Sequence, residues 1–230
     1  MPELPEVETM VRDLEASITA RTITAIEAPF PGIVVWPDFA QFCDRVVGHR
    51  IQAISRRGKY AIFALDSSDL LVVHRGMTGT LLLRASGAEM EPYVRISLTL
   101  DNGSELRFQD ARKFGKVLVL DPDSGELPLP WRRMGPEPLN GDFTVAAFRG
   151  TLSKRTGMVK PLLLGQRIVA GLGNIYVDEA LHLSRIHPRR AAGSLTGSEV
   201  KRLHSAIRQV LAAAIQNRGT TFSTYADIEG

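Results

Sequence analysis

Leu4, Val7, Val11, Leu14 and Ile18 recur at three- and four-residue steps, which predicts an amphipathic helix beginning almost at the N-terminus. Chain ends are ordinarily frayed, so an apolar stripe starting at the fourth residue predicts a terminus held by packing. Asp38 ahead of Phe39, Phe42, Cys43 and Val46 predicts a second, short helix with an aspartate cap. From about residue 50 to 120 the period changes. The runs RIQAIS, YAIFAL, LLVVH, TLLLR, YVRISLTL, SELRFQ and KVLVL are short and β-prone, and the DNG at 101–103 reads as a tight hairpin turn. Many short strands without long helices between them predict a sandwich or partly closed barrel rather than a doubly wound sheet. Pro122, Pro128, Pro130, Pro136 and Pro138 mark a linker between Asp121 and Asn140. Beyond it FTVAAFRG, KPLLLG, IYVDEALHL and EVKRLHSAIRQVLAAAIQ have helical spacing, the last with Val200, Leu203, Ile207, Val210, Leu211 and Ala214 on one side. The predicted fold class is α+β: an N-terminal β-sandwich domain flanked by helices over 1–130, the end of the proline-rich linker at 131–140, and a helical domain over 141–230.

At 230 residues and 44% hydrophobic content the chain can bury a substantial core, and two modest domains are expected. No run of 18 apolar residues occurs and the first twenty residues carry acids throughout, so neither a membrane span nor a secretory signal fits; the expectation is a soluble, cytoplasmic protein. The single cysteine, Cys43, excludes an internal disulfide and a cysteine-based zinc site, and its place in an apolar stripe reads as a small buried hydrophobe. A formal charge of +3 is compatible with a nucleic-acid partner.

The chain opens MPELPEVET. A small second residue permits removal of the initiator methionine, which leaves Pro2 with a free secondary amine. An α-amino group is less basic than a lysine, so near neutral pH a useful fraction is nucleophilic. Glu3 and Glu6 are close enough in sequence to shuttle protons around that amine or to hold it. The plainer alternative is a proline preceding a helix whose first turn carries acids favoured by the helix dipole. Other candidates have equally plain readings. Lys59, after Arg56, Arg57 and Gly58, suits a solvated strand edge or a phosphate contact. Met77 and Phe114 suit apolar caps on a sandwich, and His74 suits a satisfied structural group. Gly171 and Gly173 permit a close turn before a helix begun by Asn174, whose free amides and asparagine side chain suit a phosphate.

The opening string closely resembles that of the formamidopyrimidine-DNA glycosylases, bacterial base-excision repair enzymes of the same superfamily as the endonuclease VIII type. The resemblance runs on in the family's order through SRRGKY at 55–60, HRGMTG at 74–79, FQDARKFG at 108–115, MGPEPL at 134–139, KRTGMVKPLLLGQRIVAGLGNIYVDEAL at 154–181, IHP at 186–188 and RGTTFSTYAD at 218–227. Leu4 stands where the endonuclease VIII type usually has a glycine, which favours the oxidised-purine branch. The resemblance implies that Pro2 is the nucleophile, Glu3 the proton-transfer group and Lys59 a second catalytic basic group, with Glu6 and His74 in support. It implies that Met77, Arg112 and Phe114 fill the gap left by an extruded nucleotide, the arginine facing the estranged cytosine. It assigns the DNA backbone to Lys160 and Asn174, which lie in the superfamily's helix-two-turn-helix element.

The sequence departs from the family in two places. Tyr93 and Arg95 stand where many members carry two histidines spaced H-x-H; Arg95 can still grip a phosphate. Members normally continue into a four-cysteine zinc finger, so a truncated chain is expected, the alternative being a naturally finger-less member, with no cofactor of its own and one structural zinc ion in a full-length member. The activity implied is a bifunctional glycosylase and abasic-site lyase that excises 8-oxoguanine and formamidopyrimidines from duplex DNA through an iminium intermediate, acting as a monomer on the bacterial chromosome. The alternatives are a non-catalytic lesion-binding fragment and an endonuclease VIII-like enzyme for oxidised pyrimidines.

Overall fold

A computed structural model describes residues 2–124 and 129–219, with backbone only at 129–130. The first helix, α1 (Leu4–Ile18), follows from the apolar stripe: Leu4, Val7, Val11, Leu14 and Ile18 are all buried, while Glu8 and Arg12 on another face form an i,i+4 ion pair. The chain forms two compact units. One holds Pro2 and the chain from Val7 through the last strand; the other holds Glu3–Glu6 and the chain from the 129–132 helix onward.

In the first unit nine strands follow α1: β1 (Ile23–Glu27), β2 (Val34–Trp36), then the helix α2 (Phe39–Val46), β3 (Ile51–Arg57), β4 (Tyr60–Leu65), β5 (Leu70–His74), β6 (Thr80–Arg84), β7 (Val94–Leu100), β8 (Glu105–Gln109) and β9 (Lys116–Leu120). They form a four-stranded sheet in the order β1-β7-β8-β6 and a five-stranded sheet in the order β2-β9-β5-β4-β3. All pairs are antiparallel except β2 with β9. Phe63, Leu71, Val73 and Val117 of one sheet join Leu81, Ile96, Leu98, Leu106 and Phe108 of the other in one apolar core, closed by Val7, Val11 and Leu14 of α1. Asp38 caps α2 by accepting from the Gln41 amide at 3.0 Å, as its position ahead of the apolar stripe predicts. Gly103, at φ +82, lets the DNG turn close the β7–β8 hairpin. Cys43 is half-buried against the core rather than fully enclosed, and its thiol is pushed up by burial and by Asp44.

Arg107 on β8 is 1% exposed and crosses to the loop between β6 and β7, pairing with Glu105 and Glu91 and donating to the carbonyls of Ala88 and Glu89. Burial alone would raise the Glu91 carboxyl, but hydrogen bonds from Arg107 and Arg84 outweigh it and hold the group down to about 2.

The second unit is helical: α3 (Leu129–Arg132), α4 (Val145–Leu152), α5 (Val159–Leu164), α6 (Asn174–Ser184) and α7 (Gly197–Gln216). Thr196 and Glu199 form a reciprocal capping box at the start of α7, which buries Val200, Leu203, Ile207 and Leu211 against Val177, Ala180 and Leu181 of α6. Residues 135–140, at the end of the proline-rich stretch, are built into this unit: the Gly135 amide donates to Gln166 O, the Ala170 amide to Pro136 O, and Arg208 to the carbonyls of Pro138 and Asn140. The other part of that stretch, at 125–128, and the 218–227 motif beyond Gly219 lie outside the described residues.

Candidate active site and DNA-contact loops

Immediately after Pro2, both the amide and the carboxylate of the next residue are engaged. The Glu3 amide donates to Glu6 Oε2 at 2.9 Å. The Glu3 carboxylate accepts from the Gly173 amide at 2.6 Å, from Ile175 at 2.9 Å and from Tyr176 at 3.4 Å. The Tyr176 hydroxyl donates to Glu6 Oε1 at 2.6 Å, and the Leu4 amide donates to Gly171 O at 3.0 Å. Glu3 is 1% exposed, Glu6 7% and Tyr176 2%. A buried carboxylate needs donors, and the start of α6 supplies amides that have no partner within the helix, together with the favourable end of its dipole.

This arrangement changes the reading of GLGNIY. Those amides were expected to be offered to a phosphate, but the protein's own Glu3 occupies them. The two glycines are required by the same contact. A Cβ at Gly173 would lie 2.3 Å from Glu3 Cδ, and one at Gly171, where φ is +84, would lie 2.5 Å from the Leu4 side chain. Asn174, the first residue of α6, keeps an exposed side chain that makes no cap, because Gly173 is the cap residue. Lys160 on α5 is paired with Asp178 of α6 at 2.8 Å. Gln166, which sequence reasoning missed, accepts from the Gly171 amide at 2.8 Å and donates to Leu164 O and Leu172 O, bracing the 165–173 turns between α5 and α6.

In the sandwich unit, Gly58 (φ +57) and Lys59 form the tight turn between β3 and β4. Arg56 anchors that turn by donating to Glu8 of α1 at 2.8 Å and to Gly58 O at 3.0 Å. The sheet register sets Tyr60 opposite His74 and His74 opposite Lys116. The Tyr60 and His74 rings lie 4.7 Å apart. Burial, then Lys59 and Lys116, lower the His74 imidazole to about 4, so it is neutral near pH 7. Its Nδ1 accepts from the Gly76 amide at 3.2 Å, which leaves the proton on Nε2 as a donor. Lys116 was missed at the sequence level, since only the strand register brings it to His74.

Met77 is 42% exposed and Phe114 50%, each at the tip of a loop, so neither caps the core. The Arg112 guanidinium lies over the Phe114 ring, 4.9 Å from its centre. Arg95 donates to the carbonyls of Asp110 at 2.7 Å and Ala111 at 3.3 Å, and packs against Phe30 and Tyr93; it braces the second loop.

The order of elements, a strand-rich unit followed by a helical one, is matched by two family models. The model of the formamidopyrimidine-DNA glycosylase N-terminal domain matches residues 1–117, and that of the family's H2TH domain matches residues 134–226. The chain belongs to the formamidopyrimidine-DNA glycosylase family. It is 43% identical to the formamidopyrimidine-DNA glycosylase of Herpetosiphon aurantiacus, over all of this chain and 84% of that protein. It is similar to the Lactococcus lactis glycosylase bound non-covalently to DNA containing an abasic site, at a TM-score of 0.89 and 40% identity over 96% of this chain and 83% of that one. It is also similar to MutM in complex with DNA containing carbocyclic 8-oxo-G, at a TM-score of 0.90 and 39% identity over 97% and 83%.

Proposed function

We propose that this protein is a bifunctional DNA glycosylase and abasic-site lyase that excises 8-oxoguanine and formamidopyrimidines from duplex DNA, using the Pro2 amine released by removal of Met1. The observation that carries the proposal is the fixation of Glu3: a nucleophile on the residue joined to one whose amide and carboxylate are both engaged has little orientational freedom left to lose. Solved relatives hold abasic-site DNA and an 8-oxo-G analogue, the two substrate types that such a reaction joins.

The Pro2 nitrogen attacks C1′ of the extruded nucleotide, and the C1′–base bond breaks. The leaving base takes a proton, and opening of the sugar ring gives a C1′ iminium with Pro2. Glu3 and Lys59 serve the proton transfers, and Glu6 holds the Glu3 backbone. Loss of a C2′ proton expels the 3′ phosphate, and a second elimination expels the 5′ phosphate, leaving a one-nucleotide gap. His74 presents Nε2–H to a backbone phosphate beside Lys59. Met77, Arg112 and Phe114 enter the stack, and Arg95, Lys160 and Asn174 serve the DNA backbone, Lys160 by exchanging Asp178 for phosphate.

No helix among the described residues is long and apolar enough to cross a membrane. The proposed setting is the cytoplasm, where the protein works as a monomer on the chromosome. The 230 residues hold one cysteine, and no cluster of histidine, cysteine or acidic side chains among the described residues is arranged to hold a metal ion, so they do not supply the zinc site of longer members.

The test is borohydride trapping on a duplex with 8-oxoguanine opposite cytosine. Processed protein is expected to give a covalent band that protein retaining Met1 does not give. Equal bands from both would contradict the proposal, and preferential cleavage of a thymine glycol duplex would move it to the endonuclease VIII type.

A further inference from the structure

Asp110, between β8 and β9, is fully buried, and its carboxylate faces no basic side chain among its hydrogen-bond partners. Its donors are the Thr78 hydroxyl at 2.5 Å and the Arg112 amide at 3.2 Å on Oδ1, and the Gly115 amide at 2.7 Å on Oδ2. Each donor belongs to, or directly follows, one of the three candidate insertion residues: Thr78 follows Met77, Gly115 follows Phe114, and the third is Arg112 itself. Two exposed loop tips, 32 residues apart at Thr78 and Asp110, therefore share one buried anchor.

The backbone around the anchor leaves little slack. A Cβ at Gly76, where φ is +64, would lie 2.5 Å from the Phe114 carbonyl carbon, so the loops touch main chain to main chain. A Cβ at Gly79 would strike Arg75 O at 2.3 Å, and one at Gly115 would strike the Phe108 ring at 2.4 Å. Arg75, 5% exposed, closes the first loop by donating to Gly79 O at 2.6 Å. Burying a carboxylate is costly unless it is fully hydrogen-bonded. A carboxylate satisfied only when both loops are seated makes their two positions one variable.

We propose that Asp110 is a positioning residue for strand insertion, locking Met77, Arg112 and Phe114 into a single rigid wedge so that they enter the duplex together. The inference rests on the assignment of those three residues to insertion. It predicts a loss confined to duplex substrates, where the stack must be opened, and coupling between residues on the two loops.

The experiment compares Thr78→Val, Asp110→Ala, Met77→Ala and the Met77→Ala/Thr78→Val double variant. Three readouts are used: 8-oxoguanine excision from duplex, fluorescence of a 2-aminopurine beside the lesion, and borohydride trapping on a single-stranded abasic oligonucleotide. Thr78→Val is the milder probe, because the residue is exposed and keeps its shape. Thr78→Val takes a donor from the buried carboxylate and Asp110→Ala leaves its donors unpaired; loosening the wedge in these ways should slow duplex excision by roughly 10-fold and 100-fold, respectively. The 2-aminopurine signal should fall with it, while single-strand trapping stays within about twofold. The double variant should be little slower than Met77→Ala alone, since both changes remove one device. Losses that multiply in the double variant, or a Thr78→Val protein that opens and excises at the native rate, would overturn the proposal. If Met77→Ala itself excised at the native rate, the insertion assignment would fall and the proposal with it, whereas multiplied losses would sink the coupling alone.

Discussion

At the scale of single residues, what surrounds each titratable group decides what it can do. Glu3 is held by three amides, and Glu3→Gln places an NH₂ where one carboxylate oxygen now accepts, setting a donor against donors. Excision by that variant is expected to fall by about 10²-fold or more, with the loss in kcat rather than KM; a change confined to KM would speak against a role in proton transfer. His74 gives a pH prediction with a definite sign. In the folded protein the imidazole stays neutral down to about 4, whereas in the unfolded chain it titrates near 6.5. Between those values the unfolded state binds more protons, so stability falls as pH drops from 6.5 towards 4. His74→Gln lacks this contribution, and its urea midpoint should fall less than the native one between pH 7 and pH 4.5. Parallel midpoints would show that the imidazole is not held neutral.

At the scale of elements, much of the architecture was legible because apolar period reports burial directly. The stripes of α1 and α7, the aspartate cap of α2 and the runs that became β3 to β9 all follow that rule. The strands missed were β1 and β2, and the reason is physical. In β1 only Ile23 is fully buried, and β2 has three residues with Val35 and Trp36 half exposed, so neither carries an alternation long enough to read. The glycines of GLGNIY were legible as a close approach, but not what approaches: Glu3 lies 170 residues from Gly173 in the chain. The role of Asp110 was not legible, because its partners are fixed by tertiary packing and not by local spacing. The α6 start gives a sharp test. Gly173→Ala sets a methyl group 2.3 Å from the present position of Glu3 Cδ and must push the carboxylate off its amides. Excision should fall by about 10²-fold while helix content by circular dichroism is unchanged. Native activity in that variant would mean that the clasp is dispensable.

At the scale of the whole molecule, a formal charge of +3 spread over 28 basic and 25 acidic residues leaves little general attraction for DNA, so placed contacts carry the binding. Duplex affinity should fall steeply with salt, and Lys160→Ala, which removes one phosphate contact, should reduce the slope of log K against log salt by about 1. Titration by fluorescence anisotropy measures that slope, and an unchanged value would place Lys160 outside the interface. The central claim concerns a covalent bond, and it is tested most directly by locating that bond. After borohydride reduction on abasic duplex DNA, protease digestion and mass spectrometry should find the sugar remnant on the N-terminal peptide, attached to the nitrogen of Pro2 with Met1 gone. A remnant found instead on Lys59, or on a chain that still carries Met1, would contradict the account.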